Sequence, residues 1–338
     1  VPDTIEAIEF YFEQGLTDGL PVVPPTPDMV IKFLEASGKQ PSEVIGTIPT
    51  RKREITAEKI AINAIMAGCK PEYMPVITTA ISAMCEESFN LHGTSASTAG
   101  TGHMVLVHGP IVKQLDINFA NNLFGPTKRS NATIGRAIRL ILMNVCGSVP
   151  GVLDKSTFGH PGKYSYCFAE NEELSPWEPL HVERGLSLES SAVTVFAGNA
   201  PLQGADHSSH TGEGILGSIA KGVLAHAMPN GGEVIVVISP EMLLHVREEG
   251  WSKDAVKKFL FDATARPYSW WTGQDRGWAP QRTVNDTPKD SDMISAVEKP
   301  DGFIVMVAGG TAGGFFCSIM PWGGAKGTLS VTKLIPNM

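Results

Sequence analysis

The chain reads as an α/β protein: mixed, partly parallel sheet layers with flanking helices and long functional loops. Three observations predict this class. Apolar, β-branched runs such as Val234 to Ile238 and Phe303 to Ala308 alternate with helical segments, as in sheets whose strands are covered on both faces. The 35 glycines and 24 prolines supply many turns, which suits an enzyme-like α/β protein better than a helical bundle. At 338 residues the chain can bury a full core, as one large domain or two of ordinary size.

The elements follow in order. Residues 3–14 carry Ile5, Ile8 and Phe12 at helical spacing, before a turn at Asp18-Gly19. Leu20 to Pro25 is extended, and Pro27 opens a helix to Ala36. Val44 to Pro49 reads as a strand. Thr56 caps a helix through Met66, with Glu54 and Glu58 near its positive end. A second helix follows Pro71-Glu72 and runs to Met84, with Pro75 in its first turn. Two helices joined so closely are expected to pack as a hairpin. His103 to Gly109 is a strand behind a Gly/Ser/Thr-rich segment. The strongest helix spans Asn131 to Val145; Ile134, Ile138, Ile141 and Val145 form its buried stripe, and Arg136 and Arg139 lie off it.

In the second half, Ala192 to Ala197, Glu233 to Ile238 and Phe303 to Ala308 read as strands. Gly212 to Ala227 and Asp254 to Thr264 read as helices, with another beginning at Pro240. The polar stretch Ser269 to Asp292, with Trp270, Trp271 and Trp278, is a long loop suited to a lid or an interface arm, and to a homo-oligomer. No internal repeat is visible. The chain divides into an N-terminal α/β half with the helical hairpin, 1–150, and a C-terminal α/β half, 151–338, or forms one continuous domain.

A net charge of −8 argues against nucleic acid or an anionic membrane as partner, since both reward clustered Lys and Arg. The run Arg51-Lys52-Arg53 reads as a solvated turn. Cys69, Cys85, Cys146, Cys167 and Cys317 are widely spaced and odd in number, with no CxxC pair. That is neither a disulfide framework nor a zinc ribbon, and it suits a reducing cytoplasm. No apolar run reaches membrane length. The first residue is Val rather than Met, which leaves room for a removed leader.

The segment from Ser156 to Gly185 concentrates the chemistry. It holds His160, Lys163, Cys167, Glu170, Glu172, Glu173, Trp177, Glu178, His181 and Arg184, divided by glycines and prolines, without core periodicity. Glu170, His181, His160 and Lys163 are its catalytic candidates. Cys167 reads as a packing residue, because the neighbouring acids would raise its thiol pKa. Glu178-Pro179-Leu180-His181 has di-iron spacing, but Pro176 and Pro179 oppose a bundle helix.

Two further clusters complete the set. Lys128 and Arg129 precede a helix beginning at Asn131, a seat for a carboxylate, phosphate or sulfonate; the bland reading is a capped helix with two surface cations. These three residues and Trp177 are the substrate-binding candidates. His207 and His210 stand three apart before a glycine-flanked helix, as candidate ligands of a divalent metal together with His160, His181, Glu170 or Glu178, or as loop hydrogen-bonders or acid and base. The loop Gly309 to Gly314 lacks both the dinucleotide fingerprint and a P-loop lysine, so no nucleotide cofactor is implied.

Several stretches together resemble a known family: Thr17-Asp18-Gly19-Leu20-Pro21-Val22-Val23-Pro24-Pro25-Thr26, Met66-Ala67-Gly68-Cys69-Lys70-Pro71-Glu72-Tyr73, and Ser130-Asn131-Ala132-Thr133-Ile134-Gly135-Arg136-Ala137. Ala169 to Glu173 and Ser175 to Gly185 belong with them. They are similar to the large proteins associated with the UGSC family of thiol or selenocysteine proteins. The UGSC motif itself is missing; neither Gly68-Cys69-Lys70 nor Cys317-Ser318 matches it. The resemblance implies redox chemistry in which a small partner subunit supplies the thiol or selenol.

Three functions are therefore expected. The first is an enzyme or large catalytic subunit acting on a small anionic organic molecule, with thiol- or selenol-linked reductive cleavage. The second is a metal-dependent hydrolase or lyase using histidine and carboxylate ligands. The third is a non-catalytic binding or scaffolding subunit.

Overall fold

The computed structural model describes residues 3–228, 232–272, 288–323 and 327–336. Among these residues it is α/β, with 12 α-helices and four sheets, two of them mixed with a parallel strand pair. Eight strands build the two larger sheets: β1 (Gly102–His108), β2 (Cys167–Ala169), β3 (Ala192–Gly198), β4 (Leu202–Ala205), β5 (Val234–Ile238), β6 (Phe303–Val307), β7 (Phe315–Ile319) and β8 (Val331–Leu334). The chain forms two compact units, each discontinuous in sequence. Unit 1 comprises Val1–Glu170, Pro179–Ala200 and Ser330–Met338; unit 2 comprises Asn171–Glu178 and Pro201–Leu329.

The sheet of unit 1 runs β8-β3-β1-β2, and that of unit 2 runs β4-β7-β5-β6. Strand directions match as well. In each, the first two pairings are antiparallel and the last is parallel. The architecture is thus duplicated, although the sequence shows no repeat. Only the edge strands depart from a simple tandem order: β4 follows β3 in the chain yet edges the sheet of unit 2, while β8 follows β7 yet edges the sheet of unit 1. The return of β8 gives unit 1 its separate C-terminal piece, and the 171–178 segment makes unit 2 discontinuous.

In unit 1, α1 (Ala57–Met66), α2 (Met74–Met84) and α3 (Arg129–Asn144) form the helical layer. Thr56 caps α1 by accepting from Lys59 N at 3.4 Å, and Pro75 sits in the first turn of α2. The two do touch as expected, but α1 packs chiefly on α3, and α2 on β3 and β8. The stripe of α3 is buried as its periodicity predicts, with Ile134 and Ile141 fully inaccessible. Its cap differs: helix begins at Arg129 after an N-cap at Lys128 that makes no side-chain bond. Gly135 lets α3 approach the 165–166 backbone, where an added Cβ would meet Ser165 Oγ and, at 2.5 Å, Tyr166 N.

In unit 2, α4 (Gly212–Leu224) packs on β4 and β7, and α5 (Lys253–Thr264) on α4 and β6. The parallel pair β5 and β6 is buried at every residue, which explains its unbroken apolar sequence. Phe316 on β7 pairs with Gly204 on β4 and lies over Gly222 of α4, its ring filling the space of both missing side chains. Of the Trp-containing stretch, 273–287, with Trp278, lies outside the described residues; Trp271 is buried in the unit 2 core. No helix among the described residues is long and apolar enough to cross a membrane.

Candidate metal centre

Ligands of open α/β sheets collect beyond the carboxyl ends of parallel strands. In unit 1 the parallel pair is β1 and β2, which end at His108 and, one residue past Ala169, at Glu170. The chain leaves β2 there and returns to unit 1 at Pro179, opening a one-turn helix, Leu180–Glu183. Leu180 N donates to Glu170 Oε2 at 3.1 Å, and this tie brings His181 beside His108, ring centroids 5.4 Å apart. His108 Nδ1 lies 3.9 Å from Glu170 Oε2. Both imidazoles are 0% exposed and Glu170 is 2% exposed.

The far side of His108 is fixed by the sheet. Residues 106 and 108 share a face of β1, and Thr194 of β3 is the cross-strand partner of Leu106, diagonal to His108. Thr194 Oγ1 lies 2.8 Å from His108 Nε2 and 2.8 Å from Thr332 Oγ1 of β8. Arg184 closes the chain, donating to Thr332 Oγ1 at 3.3 Å and to Ser330 Oγ at 2.7 Å. With Nε2 engaged by a hydroxyl, Nδ1 is the nitrogen turned to the carboxylate. Ligating histidines are oriented in this way, by a partner on the second ring nitrogen.

Two ligand atoms bound to one ion at about 2.0–2.2 Å lie at most about 4.4 Å apart. His108 Nδ1 and Glu170 Oε2, 3.9 Å apart, fall inside that span, although Glu170 is not in the group of metal-ligand spacing that contains His108 and His181. Ligand atoms of His108 and His181 lie within 4.8 Å of each other, and no other histidines among the described residues join a group of metal-ligand spacing. Glu172 follows Glu170 by two residues, in the 171–178 segment of unit 2.

Unit 2 supplies a comparison. Val107 pairs with Ala169 across β1 and β2, as Ile238 pairs with Val307 across β5 and β6. The next residues are His108 and Glu170 in one unit, Ser239 and Ala308 in the other. The shared topology therefore needs neither an imidazole nor a carboxylate at these places. The donor set is an addition to the fold.

The remaining candidates from the sequence fall elsewhere. His160 and Lys163 lie at the opposite end of β1: the His160 ring packs edge-on against Tyr166, and an added Cβ on Gly102 would stand 2.9 Å from its Nε2. Lys163 pairs with Asp154 at 2.8 Å. Burial lowers the pKa of His160, against a hydrogen bond to the Gly198 backbone, and lowers that of Lys163, against its bond to Asp154. Lys128 pairs with Asp116 at 2.9 Å, and Arg129 donates to the Gly68 carbonyl at 2.9 Å. Asn131 is buried and accepts from Asn118 N at 2.7 Å while donating to the Asn118 and Cys167 carbonyls. At the expected anion seat these three residues thus make ties to neighbouring loops.

In unit 2, Trp177 donates to the Trp251 carbonyl at 2.8 Å and packs on the core. His207 stands edge-on to Phe315, and His210 edge-on to His245. Neither belongs to a cluster of metal-ligand spacing among the described residues. Asp206 accepts from Ser218 at 2.6 Å and Ser209 at 2.7 Å, which hold its carboxyl well below the usual range.

All five cysteines are free thiols. Burial pushes Cys69 and Cys146 up to about 12 and Cys85 and Cys317 up to about 11, and it raises Cys167. None is poised as a thiolate.

His108 and Thr194 were missed in the sequence because each sits inside an apolar strand and reads there as core. One signal was present: an imidazole ending a buried run immediately before Gly109, the place where α/β strands deliver site residues. Comparisons with protein-family models, with curated proteins and with solved structures give no match.

Proposed function

We propose that the chain is a metal-dependent enzyme of hydrolase or lyase type, its centre built on His108 and His181 in unit 1, with the Glu170 carboxylate beside them. The observation that supports this is the convergence of two fully buried imidazoles and a buried carboxylate at the ends of a parallel strand pair. The pair in unit 2 ends in Ser239 and Ala308 instead. Two histidines and one carboxylate suit zinc, iron or a related divalent ion with a position left for water or substrate. Such an ion supplies an acidified water and polarises a substrate carbonyl.

The chain's own residues do the rest. Thr194 fixes the His108 ring through Nε2, and Glu170 anchors the turn that carries His181. Arg184, tied to Thr332 and Ser330, holds the hydroxyl chain behind Thr194. A thiol-linked reductive reaction, implied by the family resemblance, would need its thiol from a partner, because burial raises every cysteine pKa here.

The test combines spectroscopy with turnover. Cobalt(II)-substituted protein is expected to show the d–d absorption of nitrogen and oxygen ligation, lost in His181→Ala. Hydrolysis or elimination across a panel of small esters, amides and hydroxy acids should stop with a chelator and return with metal. Activity that survives both the chelator and His108→Ala would overturn the proposal.

A further inference from the structure

The terminal strand of the unit 1 sheet leaves one edge uncovered. Among the described residues β8 pairs only with β3, and Ile335 N donates to Ser191 O. Residues 331, 333 and 335 therefore turn their backbone groups to β3, by the alternation of an antiparallel ladder. Thr332 and Leu334 then present N–H and C=O outward, at an edge where Leu334 is 50% exposed. An open edge of this kind is a template for another strand.

The edge borders a cleft of about 620 Å³, all of its lining in unit 1. That is the size of ordinary ligand sites, roughly 300–1,000 Å³. Pro75, Thr78, Thr79 and Ser82, at i, i+3, i+4 and i+7 of α2, give it a floor of small side chains. β8 is one wall, tied down where Lys333 Nζ donates to Ser82 Oγ at 2.9 Å. The other wall holds Val44 and Ile45, from a hairpin strand, Val44–Ile48, that pairs only with Arg53–Thr56 among the described residues. Gly46 of this strand lies so close to α2 that an added Cβ would meet the Cys85 side chain. Two strands thus rest on one helix without pairing to each other, and the cleft lies between them.

A strand added to β8 would run about 4.8 Å beyond it, inside this cleft. The hairpin decides what kind of strand can enter. A second copy would bring its own β3 behind its β8, into the place where Val44–Ile48 stands; a single extended segment would not. Charge adds a preference. Lys39 is paired with Glu43 at 2.7 Å and Lys333 with Glu86, whereas Glu35, which also lines the cleft, makes no ion pair among the described residues. Glu35 stands in the last turn of the helix Pro27–Ser37, at its negative end, where a cation is favoured.

We infer that the cleft takes an extended peptide of a partner protein, added to β8 as a fifth strand, with a Lys or Arg side chain against Glu35. Main-chain bonds to Thr332 and Leu334 supply the affinity, and the floor and Glu35 supply the selectivity.

Random heptapeptides displayed on phage and selected on the full chain test this, with the selected sequences resynthesised for fluorescence-polarisation titration. They are expected to carry alternating β-branched residues and one Lys or Arg, and to bind saturably, one per chain. N-methylation of alternate peptide amides should abolish binding, because it removes the ladder donors. Leu334→Pro removes an outward N–H, which an edge strand tolerates, and should weaken binding about tenfold. Glu35→Lys, an exposed change, should weaken it about fivefold, and not for peptides with Ala in place of the basic residue. The lysine variant and the N-methylated peptides carry the test if the proline variant does not fold. Selection that yields no saturable binder, binding that survives N-methylation, or wild-type affinity in Leu334→Pro or Glu35→Lys would overturn the inference. So would a dimer in sedimentation that Leu334→Pro dissolves, since the edge would then belong to a second copy.

Discussion

Thr194→Val tests the proposed role of His108 as a metal ligand. Valine nearly matches threonine in shape, so no cavity opens, and Thr332 keeps its bond from Arg184. The change removes the hydroxyl 2.8 Å from His108 Nε2, at a site where both residues are closed to water. A buried polar group left without its partner costs about 1–3 kcal/mol, and loss of such an orienting partner typically weakens metal binding about 10–100-fold. Urea unfolding of the metal-free protein should show the first effect, and competition against a chromophoric chelator the second. Thr194→Ser keeps the hydroxyl and should restore metal affinity, at a stability cost near that of one lost methyl group, about 1 kcal/mol. Wild-type stability and metal affinity in Thr194→Val would refute the assignment of Nδ1 as ligand and Nε2 as the oriented nitrogen.

Three other outcomes are expected. His103 is neutral when folded, with its pKa pushed down from 6.5 to about 3, so only the unfolded chain gains its proton as pH falls below 6.5. Its contribution therefore erodes stability from pH 6.5 downward; from 6.5 to 5 that is about 2 kcal/mol at roughly 1.4 kcal/mol per unit. Urea unfolding of the wild type against His103→Gln should show this difference growing with acidity, and a pH-independent difference would contradict it. Gly135→Ala should destabilise by about 1–3 kcal/mol, because the clash with Tyr166 N exceeds a helix-propensity gain of about 1 kcal/mol. An unchanged melting temperature would show that the 165–166 backbone yields. Phe316→Ala should cost about 3–5 kcal/mol, since its ring also fills the space over Gly204 and Gly222; thermal unfolding measures it, and a loss below about 1 kcal/mol would count against that packing.

Much of the fold was legible because local signals agreed with the tertiary outcome. The buried stripe of α3, the Thr56 cap and the unbroken strands β5 and β6 each carry their pattern within one segment. The short strands β2, β4 and β8 carry too few residues for a period to show, and they become strands only through their neighbours. The duplicated sheet was hidden for a related reason: it rests on pairing order, and the exchanged edges break any fixed sequence offset.

The site was half legible. Glu170 and His181 stand in an aperiodic, proline-bounded loop where polar groups call for explanation. His108 and Thr194 sit in strands whose apolar neighbours mask them. Lys128, Arg129 and Asn131 show the limit of the sequence: a cationic helix start looks the same there whatever it touches, and only the fold reveals that Lys128 reaches Asp116 and Arg129 the Gly68 carbonyl.

Metal stoichiometry bears most directly on the central claim. Protein purified without chelators, then titrated with zinc, iron(II) and manganese(II) and analysed by plasma mass spectrometry, should bind about one ion per chain. His108→Ala and His181→Ala should lose it, while His207→Ala and His210→Ala should keep it. A wild-type chain that takes up no ion, or a His108→Ala chain that retains it, would contradict the account.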